Sequence, residues 1–341
     1  MSEVERYADK AMFPATPMKS IVPKVHLLWM TRDPLGAVAA ASRMYEGKPT
    51  YSLNDVDDEE RRRYWEEMGR THLKAPLEFV KLHFMIEGVD RAFTHQLVRQ
   101  RTAVYAQESL RFAVKEELAS EVPYPPSFKY VPQNVSSFND LADTWDSALK
   151  KIEEAYKSLI ANGVPAEDAR GLLPTAVTTR IHYCTDLRNL LEHAGNRLCT
   201  QAQFHWRSVF LQIAEVIRTY PEQLINESAQ RSGYSSLDID QYQYLAEKVG
   251  GGSWQFELIA GTAFKPQCYL QNRCTFKADF DRGCTIRNRV DEFEKHGIPS
   301  TEWGFSGWEG DVAPIAEIEW MEDPQAGWVQ QAHGSSGESG T

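Results

Sequence analysis

Long apolar runs are missing from this 341-residue chain. No window approaches the roughly eighteen consecutive apolar residues of a membrane span. The first twenty residues, MSEVERYADKAMFPATPMKS, are charged and lack the apolar stretch of a secretory signal, so a cytoplasmic protein is expected. Cysteine is scarce, five in all, and an odd number without an export signal does not suggest a disulfide framework; reduced thiols are expected. Basic charge is in deficit, with 37 Lys and Arg against 48 Asp and Glu and a net charge of −11. That balance argues against a protein that lives on nucleic-acid backbones, and any anion site must be local. Internal repeats with a period of about 20–50 residues are absent, and so is a regular βαβ alternation.

What is present suffices for a large core, since 42% of the residues are hydrophobic. PKVHLLWMT (23–31) reads as a buried strand, and PLGAVAAASRMYEG as a helix closed by Gly47. DVDDEERRRYWEEMGR (55–70) reads as a solvated helix with no chemistry. EFVKLHFMIEG alternates as a half-buried strand ending at Gly88, and a helix follows from Arg91 to about Arg99. The stretch from Ser136 to Gly163 predicts a long helix carrying Phe138, Leu141, Trp145, Leu149, Ile152, Tyr156 and Leu159 on one face. TTRIHYCT (178–185) predicts another strand, with Asp186 capping a helix that runs to Tyr220 with one break near Gly195. The glycines from Gly250 mark a boundary. The expected organisation is an arm over 1–22, a catalytic nucleotide- and flavin-binding domain over 23–250, a cysteine-containing extension over 251–325 and a disordered tail over 326–341.

The basic residues cluster in HQLVRQRTAVYAQESLRF (95–112). A helix ending near Arg99 to Arg101, followed by Gln107, Ser109 and Arg111, offers guanidinium forks for a phosphate and polar groups for a ring, as a nucleotide requires. Arginines at a helix end also complement the dipole and pair with acids, which explains them without a ligand. A second cluster holds Arg170 in DARGLLP and Arg188 and Arg197 on the helix after Asp186. Nine residues is two and a half turns, so Arg188 and Arg197 point in different directions and serve different partners. Ser109 has no base placed beside it by the sequence and is expected to hydrogen-bond rather than attack. His95, His182 and His193 are assigned to structure, as are Cys184 and Cys199. Cys268, Cys274, Cys284 and His296 lack the close pair typical of zinc sites, which leaves metal binding open.

Arg-Gln-Arg at 99–101 followed after seven residues by Ser109 resembles the Arg-His-Arg and Ser signature of the flavin-dependent thymidylate synthases. IEGVDRAFTHQLV, YAQESLR, ARGLLP and LRNLLEHAGNRLCTQAQ also resemble that family, in order, over about Val25 to Tyr220. The resemblance implies an α+β fold, a twisted mixed sheet packed with long helices, and a homotetramer whose sites are shared between subunits. It implies reductive methylation of dUMP to dTMP with methylenetetrahydrofolate and NADPH as co-substrates of bound FAD. By the same resemblance Gln96, Arg99, Ser109, Arg111, Arg170 and Arg197 contact deoxyuridylate, Gln107 stands near it, and Arg197 faces the uracil as the electrostatic catalytic group. Glu78, Arg101, Thr102 and Arg188 fall on the flavin side. So do three departures from the family pattern: Gln100 for a His, Asp186 for an Asn, and Glu192 for a His or Asn. Those departures motivate two alternatives: a same-fold enzyme that methylates or hydroxymethylates another pyrimidine deoxynucleotide, and a silent nucleotide-binding homologue.

Overall fold

The alternation of Leu82, Phe84 and Ile86 with polar neighbours builds the central strand, and the rest of the sheet assembles on it. The computed structural model describes residues 23–112, 114–115, 117–125, 128, 136–198, 202–233, 241–242, 244 and 252–265. The described parts of Pro23–Ala113 and of Thr178 onward form one unit, and those of Val114–Val177 form a second.

In the first unit, β1 (Lys24–Met30), β2 (Lys81–Asp90), β3 (Val104–Gln107) and β4 (Thr178–Asp186) make a sheet of order β1-β2-β4-β3. The α+β expectation holds, and every described pairing is antiparallel rather than mixed. Phe84 stands opposite Leu27 on one side and Tyr183 on the other. The register slips between Glu87 and Val89, where Gly88 takes φ 72°, a left-handed conformation that glycine adopts without a Cβ clash. The strand expected to end at Gly88 therefore continues to Asp90.

One face of the sheet is dry. Val25, Leu27, Leu82, Phe84, Ile86, Ile181 and Tyr183 pack with Leu35 and Val38 of α1 (Pro34–Tyr45) and with Trp206, Phe210 and Ile213 of a later helix. Each such side chain contributes about 1.5–3 kcal/mol by leaving water. The other face carries exposed Lys81, Arg180 and His182 and half-buried His83 and Met85.

α2 (Asp58–Arg70) corrects one expectation, because its inner stripe of Arg61, Tyr64 and Met68 is buried. The guanidinium of Arg61 pairs with Asp33 at 2.8 Å and also donates to the carbonyls of Val56 and Leu53. Asp33 in turn caps α1 by accepting from the Gly36 amide at 2.9 Å. A charged residue at helical spacing reads as solvated, yet its position, three before Tyr64 and seven before Met68, lies on the core stripe.

α3 (Arg91–Leu97) follows β2 directly, and β4 leads into α7 (Leu187–Arg197), capped by Asp186 as expected. The predicted break near Gly195 is displaced: Gly195 is buried inside α7, and the interruption falls between Arg197 and the start of α8 (Phe204–Arg218). A further helix, α9 (Tyr220–Arg231), has Pro221 in its first turn, where a missing N–H costs nothing. α10 (Trp254–Ala263) lies beyond the glycine-rich stretch, yet Phe256 and Ile259 join the same core. Gln255 accepts from the Leu35 amide at 2.9 Å, at the start of α1. The rest of the proposed extension and tail, including Cys268, Cys274, Cys284 and His296, lies outside the described residues.

The second unit holds the short α4 (Leu118–Glu121), the long α5 (Phe138–Ala161) and the short α6 (Ala166–Ala169). Ser137 and Asp140 form a reciprocal capping box at the start of α5, and Gly163 at φ 83° follows its end, as the sequence predicts. Of the predicted stripe, Leu149 and Tyr156 are buried, while Phe138, Leu141, Trp145, Ile152 and Leu159 are half-buried.

Candidate functional site

β2 runs straight into α3 because Asp90 is both the last strand residue and the helix cap, its carboxylate accepting from the Phe93 amide at 2.6 Å. One turn and a half later α3 presents Gln96. Arg197, the last residue of α7, meets it: Nη1 donates to Gln96 Oε1 at 3.2 Å. The same oxygen accepts from the indole N–H of Trp206 at 3.1 Å, and the Arg197 guanidinium lies 4.6 Å from the centre of that indole. Gln96 Nε2 donates to Gln203 Oε1 at 2.9 Å, and Gln203 Nε2 donates to Asp90 Oδ2 at 3.1 Å. His205 closes the group at 3.3 Å from Asp90.

The electrostatics of this corner are unbalanced. Burial lowers the Arg197 pKa, and among the described residues the guanidinium makes no ion pair; its contacts are an amide, an aromatic face and the neutral ring of His193. Burial, reinforced by the Arg197 charge, holds His193 down at about 4, so it is neutral near pH 7. Asp90 is ionised more readily than usual: burial opposes its charge, and bonds from His205, the Phe93 amide and Gln203 outweigh that cost. A half-buried cation held by neutral groups is arranged to accept an anion or the oxygen of a polarised carbonyl.

A second group surrounds Gln100. Its Nε2 donates to the Asn189 carbonyl at 2.8 Å and its Oε1 accepts from the Tyr183 hydroxyl at 2.7 Å. The Tyr105 hydroxyl lies 2.8 Å from the carbonyl of Leu97 and 3.0 Å from that of Gln100, so it ties down the turn that leaves α3. Burial pushes both tyrosines well above the ordinary phenol range. Asp186 accepts from the Asn189 backbone and side chain and faces Lys81 at 3.4 Å.

Glu78, Arg188 and Glu192 form a third group, with Arg188 donating to Glu78 at 2.6 Å and to Glu192 at 3.0 Å. Arg188 and Arg197 thus serve different partners, as their spacing requires. Arg99, Arg101 and Thr102 are exposed on the turn between α3 and β3, and among the described residues none of these side chains makes an ion pair. Gln107 points back to Thr94, with 2.8 Å between Nε2 and Oγ1, and Ser109 Oγ accepts from the Arg111 amide at 3.3 Å. Arg170 belongs to the other unit, where it is exposed and its Nε donates to the Glu167 carbonyl at 3.0 Å.

Asp90, Gln203, His205 and Trp206 are the residues that sequence reasoning missed. Their one signal is position: all lie in or directly beside the motifs singled out above. Two smaller expectations change. His182 is not alone, since its Nδ1 lies 3.0 Å from His83 Nε2 on the outer sheet face, and Cys184 is half-buried rather than buried. Among the described residues no three His, Cys, Asp or Glu side chains gather as a metal site, and no helix is long and apolar enough to cross a membrane.

Residues 26–222 match the family described as Thymidylate synthase complementing protein. A flavin-dependent thymidylate synthase of Geobacter sulfurreducens is 32% identical over 202 residues, 57% of this chain and 82% of that protein. One of Pyrococcus furiosus is 33% identical over 195 residues, 56% of this chain and 78% of that protein. One of Sulfolobus acidocaldarius is 30% identical over 239 residues, covering 66% and 88%. The matched span holds the described strands save the first two residues of β1, both clusters of arginines and the amide-bridged corner, and it places the chain in the thymidylate synthase complementing protein family, a family of enzymes.

Proposed function

We propose that the protein is a flavin-dependent thymidylate synthase that converts dUMP to dTMP, using methylenetetrahydrofolate and NADPH with bound FAD. The observation that carries this reading is Arg197, a half-buried guanidinium without an acidic partner among the described residues, bridged to Gln96. Three relatives bearing that enzymatic name support it.

In this reading Arg197 and Gln96 hold the pyrimidine, while Arg99, Ser109, Arg111 and Arg170 serve the rest of the nucleotide and Gln107 stands beside it. The donor set also fits a flavin dinucleotide. Arg101 and Thr102 offer an exposed guanidinium and hydroxyl for its phosphates, and Arg188 is oriented by Glu78 and Glu192. Gln100 and Asp186 are engaged internally, so they shape that pocket by positioning Asn189 and Tyr183 rather than by offering free groups. FAD, when bound, supplies the redox chemistry by which NADPH reduces the transferred one-carbon group to a methyl. The chain's own part is to orient the ring and to stabilise negative charge on the pyrimidine as its C5 proton departs, which Arg197 does by donating to a carbonyl oxygen of the base. Sites shared within a homotetramer belong to the same reading.

Complementation of a thymidine auxotroph lacking its own synthase tests it, with Arg197→Ala as the control. Rescue by the wild-type gene alone is expected, and loss of an electrostatic group of this kind costs about 10²–10³ in kcat. Failure of the well-expressed wild-type protein to rescue, together with no proton release from C5 of dUMP in vitro, would overturn the proposal.

A further inference from the structure

The geometry points to Trp206 as a positioning residue that, with Gln203 and Asp90, fixes Gln96 and Arg197 as a corner that presents hydrogen-bond donors only. The argument starts from what each group can do. A carboxylate only accepts, and an indole or a guanidinium only donates. Asp90 therefore compels Gln203 to turn its NH₂ toward it at 3.1 Å, which leaves Gln203 Oε1 facing Gln96. At the other end, Trp206 Nε1 and Arg197 Nη1 converge on Gln96 at 3.1 and 3.2 Å, and both require its oxygen. The two ends agree, so the amide of Gln96 has one orientation. Turning it over would set its NH₂ against two donors and its oxygen against the Gln203 oxygen.

Trp206 is itself packed on several sides. It is wholly buried, with the Phe93 ring 4.1 Å from its own, His193 at 4.9 Å and Phe210 at 6.0 Å. The indole thus does two jobs: its N–H uses one lone pair of Gln96 Oε1, and its face supports the Arg197 guanidinium at 4.6 Å. With both lone pairs of that oxygen used, Gln96 has only an N–H left for a ligand, and Arg197 has only N–H groups. A ring edge bearing a carbonyl oxygen fits such a corner. One bearing an exocyclic amine meets donor against donor, and a polar mismatch of that kind is what a site discriminates most strongly. The assignment of the ligand rests on the proposed function, and the orientation of the corner does not.

Two variants separate the two jobs of the indole. Trp206→Phe keeps the aromatic face and removes the N–H, and Trp206→Leu removes both. In Trp206→Phe we expect equilibrium binding of dUMP to weaken about tenfold, the worth of one hydrogen bond to a partly buried amide. The preference for dUMP over dCMP should narrow by a similar factor, because the amide is free to turn. KM for dUMP should rise more than kcat falls, whereas a folding defect lowers the active fraction and leaves KM alone. Gln203→Leu, which cuts the relay from the other end, should narrow the same preference and serves if a Trp206 variant does not fold. Phenylglyoxal labelling of the ligand-free protein, mapped to Arg197 by mass spectrometry, should be several-fold faster in Trp206→Leu than in wild type. Should the wild type bind no dUMP, the proposed function fails, and the labelling rate alone decides the positioning claim. Unchanged labelling in Trp206→Leu, or wild-type affinity and preference in a folded Trp206→Phe, overturns it.

Discussion

Glu78 and Arg188 lie 110 positions apart in sequence and 2.6 Å apart in the fold. The pair is 44% and 37% exposed, and Glu192 takes the other side of the same guanidinium. Pairs this open to water contribute only about 0–1 kcal/mol to stability. Their use is orientation, because a guanidinium held between two acids keeps one outward edge. Glu78→Gln is expected to leave urea unfolding within about 1 kcal/mol of wild type and to weaken FAD binding several-fold, followed by flavin fluorescence. A variant that loses stability but binds FAD as wild type does would reverse that assignment.

Arg61 is the opposite case. Its guanidinium is nearly enclosed, and it bonds Asp33, Asp58 and the carbonyls of Val56 and Leu53. Truncation to Ala strands the Asp33 carboxylate beside the start of α1, and breaking a buried pair from one side costs about 3–5 kcal/mol. Chemical denaturation of Arg61→Ala should show a loss near the lower end of that range, since Asp33 keeps its bond to the Gly36 amide.

His193 gives the fold an acid-sensitive point. Burial and then the Arg197 charge lower its pKa to about 4, against about 6.5 in an unfolded chain. The unfolded state therefore binds more protons between those values, and stability falls as the pH is lowered through that window. The loss attributable to this group is about 3 kcal/mol by pH 4. His193→Gln should be less sensitive than wild type between pH 6.5 and 4 in thermal unfolding. An identical pH profile in the two proteins would argue against it.

Tyr105 ties the carbonyls of Leu97 and Gln100 to the sheet through one hydroxyl, and its ring stacks on Tyr183 with centroids 5.5 Å apart. Tyr105→Phe keeps the stack and releases the turn that carries Arg99, Arg101 and Thr102. A cost of about 1 kcal/mol in stability is expected. Faster amide hydrogen exchange confined to residues near 98–103 is the sharper readout, because a global loss of packing would speed exchange throughout the sheet.

Local signals in the chain were legible without the structure. A serine at 136 or 137 and Gly163 announce the ends of α5 by chemistry that needs no distant partner, and Asp186 does the same for α7. The arginines of the two motifs could be singled out because their spacing is a property of the chain itself. Trp206 could not, because a tryptophan on a helix reads as packing, and its hydrogen bond is defined by a residue 110 positions earlier. Arg61 escaped for the converse reason: its charge suggested solvent, and only the half-buried Asp33 across 28 residues explains why it turns inward. Glycine weakens a helix in isolation, which suggests a break at Gly195, whereas here Gly195 is buried within α7 and the helix continues to Arg197.

The additional residue at Gly88 acts as a change of phase in the strand. Ahead of it the even-numbered Leu82, Phe84 and Ile86 face the core; beyond it the odd-numbered Val89 does. A strand one residue shorter would pass the core with its count unshifted, and the turn of chain that becomes α3 would depart rotated by half a strand period. Gln96 would then start from the wrong side of the sheet, out of step with Arg197. In this chain the alignment of the Gln96–Arg197 corner is settled by counting, two residues upstream of Asp90, and a single insertion or deletion there would disturb that corner before it unfolded the sheet.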